Sequence, residues 1–171
     1  PDLVARIRQL GATAWVDEQL AASSSSYADL ATEVRRDFCA SNDTVCSRAH
    51  FSRTPVAMRF YANAVAGSDQ LRQRTAFALG QMIVASEAEV NSTAGIAAFN
   101  QIFLANAFGN YRDILQQVTM SGYMGDYLDR ADSNKSGPSE NYARELLQLF
   151  SMGPDQLNMD GSLKRDGSGA A

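Results

Sequence analysis

At 171 residues the chain has room for one domain with a full hydrophobic core and little room for two. Apolar residues make up 45% and charged residues 20%, a balance that excludes a disordered chain. The net charge is −4, and basic residues stand singly or in pairs, as at Arg35-Arg36 and Arg72/Arg74, so nothing here neutralises a run of phosphates and nucleic acid is excluded as a partner. The longest apolar run, Thr75 to Ala85, is too short to cross a bilayer and contains Gln81, so no membrane span is expected.

The dominant period is helical. Pro1 suits a first turn, and Leu3, Ile7 and Leu10 give an apolar stripe that stops at Gly11. A second helix is expected over 13–22, burying Trp15, Val16 and Leu20. The serine run 23–26 is a linker, and Tyr27, Leu30, Val34 and Phe38 mark a third helix before a polar Cys39–Cys46 loop. A fourth starts after Thr54-Pro55 and ends at Gly67. The fifth follows Asp69, a plausible N-cap, and its second half is apolar all round, so Thr75–Ala85 is expected to be the most buried segment. On that reading Phe77→Ala costs about 3–5 kcal/mol. Helices follow over 92–107, around Ile114, Leu115 and Val118, over 122–129, and over 139–152. Beyond Gly153 the chain turns polar and Gly-rich, with a small hairpin predicted between Leu157 and Leu163. The expectation is an all-α protein of about eight helices, an orthogonal bundle around a buried central helix. Residues 1–153 form the domain, and 154–171 form a tail or the start of a truncated remainder.

Candidate chemistry is sparse. Cys39 and Cys46 cannot supply four metal ligands, and their close spacing around turn residues favours a disulfide over two unrelated thiols. The one histidine, His50, has no nucleophile motif beside it and reads as structural. No phosphate loop or dinucleotide fingerprint occurs, and no cofactor is predicted. Asp132, Asn134 and Ser136, with Gly137 at the sixth place, match the front half of a calcium loop, and Glu140 falls at position 9. Position 12 is Ala143, so a plain polar loop is the favoured reading. Asn141, Arg144, Glu145 and Gln148 lie three or four apart on the last helix and form one narrow polar stripe. A buried carboxylate there needs a partner, and Arg74, on the same face as Gln81, is the natural one. Arg74, Gln81, Asn141, Arg144 and Glu145 are thus expected to form a structural network, with Glu145 the one weak catalytic candidate.

Three stretches carry a family likeness. The run from Pro138 to Gly153 (Pro-Ser-Glu-Asn-Tyr-Ala-Arg-Glu-Leu-Leu-Gln-Leu-Phe-Ser-Met-Gly) resembles the signature helix of a bacterial family catalogued as domain of unknown function number 1800. Leu71–Leu79 is similar to a second block of that family, and Asn106–Asp113 with Met124–Asp129 to a third. The signature usually has Asn where Ser139 stands, and many members carry Pro, often preceded by His, where Ser121-Gly122 stand. The resemblance implies a longer protein of which this is the N-terminal portion. It also implies an extracytoplasmic location, periplasmic or secreted, which suits a Cys39–Cys46 bridge. The implied partners are the remainder of its own chain and a co-encoded exported protein that looks sulfatase-like. It supplies no activity. Two function classes remain: an exported structural or binding protein whose polar stripe is internal scaffolding, and an exported enzyme, a hydrolase for example, with a site completed by a C-terminal region.

Overall fold

The computed structural model describes residues 3–165. The expectations for Pro1 and for the chain past residue 165 lie outside them. The described residues are helical, with no strand beyond isolated bridges: α1 (Leu3–Leu10), α2 (Ala12–Ala21), a single 3-10 turn (Ala28–Leu30), α3 (Thr44–His50), α4 (Thr54–Ala66), α5 (Gln70–Met82), α6 (Thr93–Ala105), α7 (Tyr111–Met120), α8 (Gly122–Tyr127) and α9 (Asn141–Gln148). The all-α expectation holds. No described helix is long and apolar enough to cross a membrane.

The buried centre is α6, not α5. It touches α3, α4, α5, α7, α8 and the 3-10 turn. Its sequence, Thr-Ala-Gly-Ile-Ala-Ala-Phe-Asn-Gln-Ile-Phe-Leu-Ala, is apolar around most of its circumference, and Ile96, Ala97, Phe103 and Leu104 are each at most 2% exposed. Each large side chain buried there contributes roughly 1.5–3 kcal/mol relative to exposure. The helix starts where the Ser92 hydroxyl accepts from the Gly95 amide at 2.9 Å. Gly95 is required by packing, since a Cβ there would meet Tyr123 Cδ2 at 3.0 Å. Ile114 and Val118 from α7, Met124 from α8 and Val56 from α4 close the core around it.

The segment Thr75–Ala85 is correspondingly less buried than its composition suggests. Only Gln73 on α5 and Ile83 just beyond it are fully covered, while Phe77 is 53% and Met82 56% exposed. α5 lies on α6, α2 and α4 with one flank open, so apolar composition there reports a half-covered helix. The third helix is also absent. Tyr27 docks into the core with its amide donating to Gln101 Oε1 at 2.8 Å, the chain makes one 3-10 turn, and Phe38 is 57% exposed. Arg59 holds Asp29 in a bidentate pair at 2.7 Å, which lowers the Asp29 carboxyl below its ordinary range and fixes the turn against α4. Conversely, α3 occupies a stretch expected to be loop, capped by Asp43 accepting from the Cys46 amide.

On α2, Trp15 is half-buried while Val16 and Leu20 are exposed, and the buried residue is Gln19. Its amide accepts from Leu71 N and donates to Ser68 O. Asp69 stands at the N-cap position of α5 but does not cap it. Fully buried, it accepts from the amide and hydroxyl of Ser25, both at 2.7 Å, and from Gln73. These bonds satisfy groups that burial would otherwise leave unpaired. The expected hairpin is present as a tight turn: Leu157 bridges Leu163, Lys164 N donates to Gln156 O, and Gly161 supplies the positive φ of 82°.

Candidate functional site

Most of the polar stripe on α9 comes together, but with other partners than Arg74. Asn141 donates to Asp129 Oδ2 at 2.7 Å and accepts from Arg144 at 3.0 Å. Arg144 pairs with Glu140 at 3.1 Å and with Glu145 at 3.5 Å. Arg74 is exposed and has no ion pair or side-chain hydrogen bond among the described residues, and Gln81 is exposed at the rim of the α4–α5–α6 cleft. The Arg74–Glu145 pair is therefore corrected: Glu145 takes its immediate neighbour, because α5 and α9 are not packed against each other as major partners. Asp129, at φ 57°, is the member that sequence spacing missed. On the opposite face, Tyr142 shares a 2.7 Å hydrogen bond with Thr119, and the Tyr111 hydroxyl donates to Phe150 O. The stripe thus clasps α9 to the loop before it, while the apolar face seats it on α7.

The calcium-like loop is an exposed turn. Asn134 Oδ1 accepts from the amides of Ser136 and Gly137, and Glu140 is engaged by Arg144, while Asp132 contributes its carbonyl to Asn134. Two of the four proposed ligands are therefore already bonded within the protein. Among the described residues no group of three His, Cys, Asp or Glu side chains is placed to hold a metal. His50 ends α3 with its ring edge-on to Phe38 at 5.0 Å. Cys39 and Cys46 form a disulfide, with Cα atoms 5.6 Å apart.

A ring-lined concavity lies elsewhere, between α4, α5 and α6. It encloses about 370 Å³, within the size range of small-molecule sites. Its walls are rings: Phe60 and Phe77 lie 5.6 Å apart, Phe99 and Phe103 5.0 Å, and Phe99 and Tyr123 5.3 Å between centroids. Gly80 opens one wall, where a Cβ would come no nearer than 3.9 Å to Phe103. Polar groups are few. Gln73 is bonded to Asp69, but the Asn100 amide makes no hydrogen bond within the described residues, and the buried Tyr123 hydroxyl has no partner either. Burial, with the nearby charge of Glu87, pushes the Tyr123 hydroxyl well above its ordinary range, and burial raises Tyr27 as well. Glu87 is half-buried in the connection between α5 and α6, and it is the one charged residue on the lining. Sequence reading missed this cleft. Its signals, Phe99 and Phe103 one turn apart and Gly80 in an apolar helix, are equally those of an ordinary core.

The family model described as "Protein of unknown function (DUF1800)" matches residues 1–166, nearly the whole chain. The chain belongs to this family. The DUF1800 match covers α1 through the turn after α9, so the cleft and the α9 clasp both fall within it. No curated protein and no solved structure matches the chain.

Proposed function

We propose that this part of the DUF1800 chain is a binding module of an exported bacterial protein, with the aromatic cleft between α4, α5 and α6 as its ligand site and the α9 stripe as internal scaffolding. The observation that carries this reading is the cleft itself: a concavity of about 370 Å³ with apolar walls and two unbonded polar groups, Asn100 and Tyr123. Apolar walls with a few fixed polar groups are how small-molecule sites are built. The stripe supports the scaffold role, because Asn141, Arg144 and Glu145 are each bonded to a neighbour. Export is supported by the Cys39–Cys46 disulfide, since such bonds persist in oxidising compartments. The remainder of a longer chain and a co-encoded sulfatase-like protein are the partners such a module would serve.

A neutral solvatochromic dye tests the site. It should bind with a blue-shifted emission, and Gly80→Leu should abolish that signal by filling the cleft, while the melting temperature holds or rises because a helical glycine has been replaced. Dye binding that survives Gly80→Leu in a folded protein overturns the assignment.

A further inference from the structure

The electrostatics of the cleft point to the kind of ligand it takes, and this inference rests on the cleft being a binding site. Glu87 is the only formal charge on the lining. It has no ion pair among the described residues, and Arg59, on the α4 wall side, is spent on Asp29 and the Ser26 carbonyl. A carboxylate without a counter-charge in an apolar cleft favours a cation that reaches it. The rings add to this. Their faces carry negative potential, and a cation within about 6 Å of a ring centroid is attracted to it. Phe60, Phe77, Phe99, Tyr27 and Tyr123 all line this space, and a ring that turns its face to a bound cation would add to the attraction of Glu87. Glu87 shares the lining with the hydroxyl-bearing rings of Tyr27 and Tyr123, and the Tyr123 hydroxyl is buried without a hydrogen-bond partner. Both hydroxyls stay protonated at neutral pH, and each retains lone pairs that can accept from an N–H donor.

We propose that the cleft binds a small organic cation, an amine carrying a compact aliphatic or aromatic body, with its ammonium paired to Glu87 and accepted by the Tyr123 hydroxyl. The volume limits the body to roughly the size of a single ring with a short chain. A carboxylate or phosphate ligand is disfavoured, because no basic residue lines the space and Glu87 would repel it.

The test is calorimetric titration of the whole chain with three probes of matched skeleton: 2-phenylethylamine, 2-phenylethanol and 3-phenylpropanoate. The amine should bind at least tenfold more tightly than the alcohol, and the carboxylate should give no heat. Glu87→Gln, an isosteric change at a half-buried loop position, should bring the amine down to the affinity of the alcohol without moving the melting temperature. Tyr123→Phe should weaken the amine severalfold and leave the alcohol within twofold. Equal binding of all three probes, unaltered by Glu87→Gln, overturns the cationic ligand while leaving the cleft as a binding site. Failure of every probe, together with failure of the neutral dye, removes both readings.

Discussion

Asp69 shows how much of this protein is decided by single side chains whose partners lie far along the chain. Its carboxyl is sealed from water and accepts two short bonds from Ser25 and longer ones from Gln73. Asp69→Ala would leave the part-buried Ser25 amide and hydroxyl without their acceptor, and the expected loss is about 1–3 kcal/mol in a urea melt. A loss below about 1 kcal/mol would mean that water replaces the carboxyl at no cost. Sequence reading placed Asp69 correctly at the start of a helix, but a cap is a local pattern and Ser25 is not local. The same limit explains Arg74. Helical periodicity put Glu145 and its neighbours on one face, which is right, yet nothing in one sequence fixes which basic residue faces them. Glu145 pairs with Arg144, whose side chain is 44% exposed, so this ion pair contributes only about 0–1 kcal/mol. A double-mutant cycle at positions 74 and 145 should return coupling within about 0.5 kcal/mol of zero. Coupling above about 1 kcal/mol would restore the direct pair.

The helices from α4 onward were legible because apolar spacing, Pro55, Gly67 and Ser92 punctuate the chain at the positions where they begin and end, whereas α3 was missed. Rank within the core was not legible. The second half of α5 read as apolar all round while α6 drew no such reading, and only packing distinguishes a helix covered on every side from one with an open flank. The difference is measurable with one residue type. Phe103→Ala, at 2% exposure, should cost about 3–5 kcal/mol, whereas Phe77→Ala, at 53% exposure, should cost no more than about 1–1.5 kcal/mol. Equal losses would return α5 to the centre. The missing third helix has a related cause. Tyr27, Leu30, Val34 and Phe38 have helical spacing, but with Tyr27 docked at one end and the Cys39–Cys46 ring at the other the chain between them runs as turns and irregular backbone. Tertiary constraints of that kind override a weak local preference.

At the scale of the whole molecule, two covalent and polar ties hold peripheral segments onto the α6 core. The disulfide closes a ring of sequence separation 7, and on chain-entropy grounds its reduction should cost about 2–3 kcal/mol. Denaturation with and without a thiol reductant checks this, and amide exchange should quicken first in residues 39–46. Unchanged stability after complete reduction would leave the ring without a structural role. The second tie is the polar seam between the N-terminal helices and α5: Gln19 to Ser68 and Leu71, and Ser25 to Asp69, with sequence separations of 44 to 52. That spacing sets a schedule for the newborn chain. The first two helices emerge from the ribosome long before the groups that bond them exist. At a synthesis rate of about 5–20 residues per second, the 44 residues between Ser25 and Asp69 correspond to a wait of roughly 2–9 s. Throughout that interval the first two helices lack the α5 groups that dock them and are open to whatever else is present to hold them.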